Sequence, residues 1–358
     1  MAYWSYSDFI LRNALNISNK TVTVFGAYGH TGRFVVAELH KRGWKTILSG
    51  RDAAKLKQLA AGHPESEARV ASVDDDVSLD RAMAGADAVI NCAGPFIDTA
   101  IPIIEAALRS GIHYFDVAAE QAAVLAVFER FSCAAKGAGV VIAPAMAFYG
   151  GLGDLLATAA MGDWLVADEI LLLLALGGWK PTRGTRLTGE RNPGPRFFSL
   201  MADWSVRIRR HRAPGIFPLH SGSRMSWGFL SLRPLLSRAI CQRLGSMFIC
   251  EAPVTDIRNP DTSEPVAADE SGRSSQTFLM EVIARKGDAE RRAVARGRDI
   301  YAVTAPIVVE AAHRVVNGLA GTTGVVAAGE VFDARDFLRS LAPAHLSFET
   351  ESLPLPPR

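Results

Sequence analysis

Residues 21–33 read TVTVFGAYGHTGR, and this stretch decides the fold. A short apolar strand, Thr21 to Phe25, runs directly into a turn that carries a glycine at every third position, and a helical pattern follows. In such a turn the first glycine permits a tight bend, the second lets the backbone approach a pyrophosphate, and the third allows close packing of the helix. The free N–H groups at the start of the helix, together with its dipole, favour a bound phosphate.

The strand, turn and helix together predict a site for a dinucleotide, because a glycine-rich turn is specific only in that context. A turn of the same composition that binds no ligand is the alternative interpretation. The residues predicted to meet the pyrophosphate are Gly26, Ala27, Tyr28, Gly29, His30, Thr31 and Gly32.

Short apolar strands alternate with helical stretches over the first 145 residues, which predicts βαβ units and a parallel sheet. The predicted strands are Thr21 to Phe25, Thr46 to Ser49, Arg69 to Val73, Ala88 to Cys92, Tyr114 to Val117 and Val140 to Ala143. The predicted helices are Thr31 to Arg42, Ala53 to Ala61, Leu79 to Ala84, Ile101 to Ser110 and Gln121 to Lys136. The glycines expected to end them are Gly43, Gly62, Gly85, Gly111 and Gly137, since glycine readily adopts the left-handed helix cap.

After residue 145 the pattern changes from strands and helices in alternation to a mixture of the two. A buried strand is predicted at Glu169 to Leu176, and a hairpin at Phe278 to Arg285 and Arg291 to Arg296, joined by a turn at Gly287. Two helices are predicted near the end, one that opens at Thr304 and one from Asp333 to Leu341.

The predicted class is α/β, a doubly wound parallel-sheet Rossmann domain with an inserted α+β second domain. We expect the Rossmann domain over 20–145, completed by C-terminal helices over 305–358. The second domain, 146–304, is expected to bind substrate and to mediate a homodimer. Residues 1–19 are expected to form an N-terminal extension.

The length and composition of the chain exclude several classes of protein. The chain has 358 residues, 49% of them hydrophobic, and a formal charge of +2, which favours a two-domain globular protein and no nucleic-acid partner. Its most apolar window, Ile170 to Leu176, is far shorter than the ~20 residues that cross a bilayer, so we expect no membrane span. The four cysteines lack metal-ligand spacing and the first residues lack an export signal, so free thiols, no metal and a cytoplasmic location are expected.

The end of the second strand predicts which dinucleotide binds. Ser49-Gly50-Arg51 stands where an NAD enzyme places an acidic residue for the ribose hydroxyls. The Arg51 guanidinium suits a 2′-phosphate and Ser49 can add a hydroxyl donor, so NADP is favoured over NAD. Asp52 is interpreted as the N-cap of the next helix. Asp74 is either an acceptor for the adenine amino group or a solvated acid in the cluster that caps the following helix.

Four motifs occur in one order: Gly26 to Arg33, Ser49 to Arg51, Asn91 to Phe96, and His113 to Asp116 followed by Glu120. On these motifs residues 20–150 resemble the NADP-binding domain of the saccharopine dehydrogenase-like family, which includes saccharopine reductases and the trans-acting enoyl reductases of lipid synthesis. The resemblance implies that NADPH binds here. It implies contacts with the ribose and nicotinamide from Cys92, Ala93, Gly94, Pro95 and Phe96. For the last two residues, a proline-started helix with a core phenylalanine is the alternative.

Hydride transfer also needs a group that supplies or accepts a proton. Tyr114, Asp116 and Glu120 follow the fifth strand, and Tyr149 lies in a turn between the lobes, so these four are the acid–base candidates. A hydrogen-bonded structural role is the alternative for each. Further along, Arg207 and Arg209 fall on one face of a predicted strand and could hold an acidic substrate, or could form a solvated face.

These observations predict an NADP-dependent oxidoreductase that transfers a hydride to a small or acyl substrate, by enoyl or imine reduction. A non-catalytic NADP(H)-binding sensor or scaffold is the alternative, because no complete catalytic signature stands out. None of the tyrosines is followed four residues later by the lysine that short-chain reductases use.

Overall fold

The computed structural model describes residues 20–191, 225–226, 241–250 and 264–354. The predicted extension over 1–19 and the arginines near position 207 lie outside the described residues. Two sheets organise the described chain, and their strands and helices are numbered in chain order.

A parallel sheet occupies the first part of the chain. Its strands and helices are β1 (Thr21–Phe25), α1 (His30–Lys41), β2 (Lys45–Gly50), α2 (Ala53–Ala61), β3 (Glu67–Val70), α3 (Asp76–Met83), β4 (Ala88–Asn91), α4 (Phe96–Ser110), β5 (His113–Asp116), α5 (Gln121–Ala138) and β6 (Val141–Ala143). β1 pairs in parallel with both β2 and β4, so that Val24 lies between Leu48 and Ile90, and all three are fully buried. The strand order changes direction at β1, which places the carboxyl ends of β1 and β4 beside each other.

The second part of the chain builds a mostly antiparallel sheet and returns helices to the first. Its elements are a π-helical turn (Phe148–Leu152), α6 (Gly153–Met161), β7 (Ala167–Gly177), α7 (Arg183–Arg191), β8 (Met225–Ser226), β9 (Cys241–Cys250), β10 (Thr277–Lys286), β11 (Ala289–Arg298), α8 (Ile300–Val316), β12 (Gly324–Val325), α9 (Ala328–Val331), α10 (Ala334–Leu341) and β13 (Leu346–Pro354). The first sheet has the order β12-β6-β5-β4-β1-β2-β3, and the second has the order β13-β11-β10-β7-β9-β8.

The predicted hairpin is confirmed, with Gly287 at a φ of 56° in the turn between β10 and β11. Alternate residues of β7 and β10, such as Leu172 and Val282, are buried on the face that contacts α6. The predicted buried strand and the two strands of the predicted hairpin are therefore present, and the fold class predicted from the sequence is confirmed.

The return of the chain contains strands that the sequence analysis did not predict. β12 adds to the parallel sheet beside β6. The stretch Leu346–Pro354, expected to lie among helices, instead pairs with β11 as an outer strand of the second sheet. Helix α8 lies along α1, and the Glu310 carboxylate accepts hydrogen bonds from Arg42 and Arg314.

Several element boundaries differ from the prediction, and side-chain hydrogen bonds explain two of them. Helix α4 begins at Phe96 and not at Ile101, and α8 begins at Ile300 and not at Thr304 because the Asp299 carboxylate accepts from the first backbone N–H groups. Helix α5 ends at Gly139, which has a φ of 70°, and not at Gly137. Among the described residues no helix is long and apolar enough to cross a membrane.

Candidate functional site

The glycine-rich turn has the shape of a phosphate cradle. The N–H groups of Gly26 and Ala27 donate to the Ser49 carbonyl oxygen at 2.8 and 3.2 Å, which holds the turn against the end of β2. Gly26 has a φ of 79°, and a Cβ at Gly32 would lie 2.2 Å from the Gly26 carbonyl oxygen. The first and third glycines are therefore required by this backbone. No side chain caps the N-terminus of α1, so its first N–H groups point at the place where a diphosphate would lie.

Tyr28 packs against the end of β2, beside the glycine-rich turn. A Cβ at Gly50 would lie 2.8 Å from the Tyr28 ring, so only glycine lets the ring pack against the end of β2. The Tyr28 hydroxyl accepts from the Asp52 N–H at 3.2 Å, and Asp52 caps α2 as predicted. Arg51 is exposed beside this group, and no described side chain pairs with its guanidinium. A free cation at this point fits a 2′-phosphate.

Two of the predicted nucleotide contacts, Ser49 and Asp74, differ in their exposure to solvent. Ser49 is fully buried and its hydroxyl has no partner among the described residues, so it contributes its carbonyl oxygen to the turn and does not present its hydroxyl to solvent. Asp74 lies four residues beyond the end of β3, and its neighbour Asp75 caps α3. Asp74 is therefore an exposed acid close to, but not part of, the helix cap.

The turn after β4 lies directly against the glycine-rich turn. A Cβ at Gly26 would be 2.9 Å from the Ala93 nitrogen, so the two turns touch through backbone. The Ala93 N–H donates to the Asn91 side chain at 3.0 Å, and the Gly94–Pro95 peptide bond is cis. This contact brings the turn after β4 next to the glycine-rich turn.

Tyr114, Asp116 and Glu120 form a buried network that fixes these turns. The Glu120 carboxylate accepts from the N–H groups of Phe96 and Ile97 at 2.8 Å each, which explains the early start of α4. The Tyr114 hydroxyl donates to one Asp116 oxygen at 2.8 Å, while the other accepts from two backbone N–H groups. All three side chains are less than 5% exposed. Three of the four predicted acid–base residues thus have structural hydrogen bonds.

Burial perturbs both members of the tyrosine–aspartate pair. Removal from water raises the pKa of Asp116 to about 6, against the opposing effect of its hydrogen bonds. Burial and the neighbouring Asp116 charge raise the pKa of Tyr114 well above its usual value, so the phenol stays protonated and serves as a donor.

A cavity lies beside the two turns and contains the fourth candidate, Tyr149. Its walls are formed by the glycine-rich turn, the turn after β4, the π-helical turn, α7 and α8. The lining residues are Thr31, Cys92, Gly94, Phe96, Val117, Ala119, Ala147, Phe148, Tyr149, Trp179, Thr182, Gly184, Thr185, Thr188, Ile300, Tyr301 and Thr304. None of these described lining residues is an acid, a lysine, an arginine or a histidine. The described lining is therefore uncharged, and its polar side chains are those of tyrosine, cysteine, threonine and tryptophan.

Tyr301 and three threonines were not identified from the sequence. The Tyr301 oxygen accepts from the Thr182 N–H at 3.2 Å and lies 3.0 Å from the Thr185 hydroxyl. That hydroxyl lies a further 3.0 Å from the Thr182 hydroxyl. The Tyr301 ring also meets the edge of the His30 ring, with centroids 5.2 Å apart. Tyr301 therefore connects the glycine-rich turn with α7.

Helix α7 covers the turn after β4. A Cβ at Gly94 would lie 3.2 Å from the Thr188 hydroxyl, and Arg191 at the end of α7 pairs with Asp98 of α4 at 2.9 Å. The threonines recur at helical spacing in the sequence, but polar helix faces usually face solvent, so this pattern alone did not predict a cavity wall.

His40, His63 and Glu65 come together on the surface away from the cavity, although no metal site was predicted. Their candidate ligand atoms lie within 4.8 Å of one another. The His40 Nδ1 lies 3.0 Å from the Glu65 carboxylate, and its Nε2 lies 2.7 Å from the Thr46 hydroxyl. Hydrogen bonding explains this arrangement without an ion.

Comparisons with known proteins agree with the geometry of the first domain. Residues 22–141 match the family described as Saccharopine dehydrogenase NADP binding domain. A lipid droplet localized protein of Caenorhabditis elegans is 30% identical over 141 residues, which are 36% of this chain and 33% of that protein. A saccharopine dehydrogenase-like oxidoreductase of Mus musculus is 27% identical over 177 residues, which are 44% of this chain and 41% of that protein. The chain thus spans less than half the length of these curated relatives.

A solved structure extends the likeness in fold to most of the chain. The apo histidine-tagged saccharopine dehydrogenase (L-Glu forming) from Saccharomyces cerevisiae superimposes with a TM-score of 0.59. The alignment covers 93% of this chain and all of that chain, with 14% identical residues. At this identity the match concerns the fold.

Proposed function

We propose, from the premise that residues 22–141 form a saccharopine dehydrogenase-type NADP-binding domain, that the chain is an NADPH-dependent reductase. The observation that carries the proposal is the neutral cavity whose wall includes Thr31 of the phosphate turn and Cys92 and Gly94 of the turn after β4. In open α/β sheets the ligand binds at this carboxyl edge. When bound, NADPH would supply a hydride to a substrate held in the cavity.

The residues of the two turns would hold and orient the cofactor. The N–H groups at the start of α1 would bind the diphosphate, and the unpaired Arg51 would bind the 2′-phosphate. Cys92 to Phe96 would lie along the ribose and nicotinamide, as the family resemblance implies. The Tyr114–Asp116 pair and Glu120 would act indirectly, by keeping that turn in place.

The substrate is proposed to be a small or acyl molecule reduced at an enoyl or imine bond. The name of the worm relative places that protein at lipid droplets, which supports an acyl substrate here. The inserted domain over 146–304 is proposed to bind this substrate and to form a homodimer of a cytoplasmic enzyme. Sedimentation of the purified chain at two concentrations would test the dimer.

The coenzyme assignment is tested by Arg51→Ala. We expect the variant to lose about 1.5–3 kcal/mol of NADPH binding, the range for a charge-assisted hydrogen bond, and to bind NADH as before. Calorimetric titration with both nucleotides measures this difference. Arg81→Ala, which removes another exposed cation of the same domain, is the matched control.

Equal losses for NADPH and NADH would contradict the role of Arg51. Turnover is measured separately, as NADPH oxidation with enoyl and imine compounds. Tight NADPH binding with no oxidation by any compound would instead favour a sensor or scaffold.

A further inference from the structure

We propose that Tyr301 is the proton donor of the reaction and that the substrate group entering the cavity is uncharged. This inference rests on the reductase function proposed above and assigns its substrate class and its acid. It is carried by the wall of the cavity that Tyr301 forms together with α7.

The charge of the cavity selects the substrate class. An ionised group moved from water into a cavity without an opposite charge loses its hydration and gains no partner. The described lining offers hydroxyl, thiol and aromatic groups but neither a cation for a carboxylate nor an anion for an ammonium group. Enones, enals and esters therefore fit this cavity, whereas an imine that carries carboxylates at the reacting carbon does not.

Tyr301 is the cavity group best arranged to release a proton. Three of the described lining side chains, Cys92, Tyr149 and Tyr301, have an ionisable proton. Burial raises the pKa of the Cys92 thiol, Asp116 raises it further, and no described group donates a hydrogen bond that would stabilise its thiolate. At Tyr301 the Thr182 N–H donates to the phenol oxygen, where it would stabilise the negative charge left after proton loss.

Thr185 provides a route for the proton to be replaced. Its hydroxyl lies 3.0 Å from both the Tyr301 and Thr182 hydroxyl oxygens, in a short chain of groups that both donate and accept. Gly184, at the start of the same helix, is exposed, so this chain begins near solvent. Burial raises the pKa of Tyr301, which keeps the phenol protonated between turnovers.

The proposed step balances as follows for an enone. NADPH, when bound, would supply a hydride to the β-carbon, and the electrons of the C=C bond would move through the carbonyl to its oxygen. The O–H bond of Tyr301 breaks and its proton goes to the α-carbon, so the carbonyl re-forms and a saturated ketone results. Water then returns a proton to the Tyr301 oxygen through Thr185.

The experiment compares Tyr301→Phe with Thr322→Val, which removes an exposed hydroxyl that does not line the cavity. The probes are benzylideneacetone, an uncharged enone, and phenylpyruvate with ammonium, which offers a carboxylate-bearing imine. We expect the wild type to reduce the enone preferentially. Tyr301→Phe should lower kcat at least about 100-fold, the usual share of a general acid, whereas Thr322→Val should change it little.

Binding supplies a readout that does not depend on turnover. Calorimetry of the NADP+ complex should show that benzylideneacetone binds and that cinnamate, its carboxylate analogue, does not. Tyr301→Phe should bind NADPH as the wild type does, which also shows that it folds. Thr185→Val keeps the phenol and is expected to lower kcat about tenfold while the KM for the enone is unchanged.

The outcomes separate this inference from the proposed function. Preferential reduction of the carboxylate-bearing imine, or an unchanged kcat in Tyr301→Phe, would overturn the inference and leave a reductase. Failure of the wild type to oxidise NADPH with any probe would overturn the reductase function and, with it, the inference.

Discussion

Asp116 shows how a residue can match a catalytic pattern and serve the scaffold. Its position at the end of a parallel strand is where catalytic acids occur in α/β proteins, which is why the sequence indicated it. In the structure its oxygens accept from Tyr114, Ala118 and Ala145, and Ala145 is held at a φ of 57° by this contact. The sequence located the residue correctly at the edge of the site, but hydrogen-bond partners from residue 145 could not be inferred from it.

Asp116→Asn should remove a pH-dependent part of the stability. The folded pKa of about 6 lies above the unfolded value, so ionisation of Asp116 costs stability above pH 6 and this cost disappears below pH 4. When the pH is lowered from 7.5 to 4.5, the free energy of unfolding of the wild type should rise by about 1–3 kcal/mol more than that of the variant. Asparagine can still accept both backbone hydrogen bonds, so the fold is kept.

Urea unfolding at the two pH values measures this difference. Asp74→Asn, an exposed acid of the same domain, should follow the wild type. Parallel pH dependences of Asp116→Asn and the wild type would show that the carboxyl titrates normally.

At the level of elements, the sequence predicted helices and strands correctly where neighbouring residues determine their bounds. β1 and α2 have the predicted bounds, and the β10–β11 hairpin follows from alternation and one glycine. Boundaries set by distant side chains were missed. The start of α4 depends on Glu120, and β13 is an edge strand whose mixed sequence carries little apolar pattern. The cavity wall from α7 was missed for the same reason, since its partners lie more than 80 residues away.

The contact of α9 with α6 predicts that substitution of Gly329 destabilises the protein. The Gly329 N–H donates to the buried Asp154 carboxylate at 2.7 Å, and a Cβ at Gly329 would lie 2.0 Å from the Thr158 hydroxyl oxygen. Gly329→Ala should therefore destabilise the protein by about 1–3 kcal/mol, the range for overpacking. Gly321→Ala, where an added Cβ meets nothing within 4 Å, should be nearly neutral.

Thermal melting of the two alanine variants distinguishes these cases. The double variant Gly329→Ala with Thr158→Ala should regain part of the loss, because it removes the clashing hydroxyl. Equal melting temperatures for the two single variants would contradict the close contact of α9 with α6.

At the level of the whole molecule, an ion cluster joins the two ends of the described chain. Glu310 of α8 pairs with Arg42 of α1 and with Arg314, which also pairs with Asp336 of α10. These guanidinium groups lower the pKa of Glu310 despite its burial. The stabilisation is thus present above the unfolded pKa and is lost as the pH falls through the lower folded value.

Glu310→Gln should lower the free energy of unfolding by about 1–3 kcal/mol at pH 7, because it leaves two half-buried guanidinium groups with weaker partners. The loss is less than complete since Glu38 still pairs with Arg42. Glu105→Gln breaks an exposed pair with Arg130 and should cost less than about 1 kcal/mol. Urea unfolding measures the free energy of unfolding of both variants. Similar losses in the two variants would contradict a larger stabilisation by the buried ion cluster than by the exposed pair.

The cavity takes one wall from Thr31 and another from Thr304, so its order of assembly is constrained. A nascent polypeptide that has left the ribosome up to residue 145 can already form the phosphate cradle. It cannot enclose a nicotinamide ring, because Tyr301 and Thr304 have not yet been synthesised. During translation, affinity for a bare adenine nucleotide should therefore arise earlier than affinity for any reducible compound.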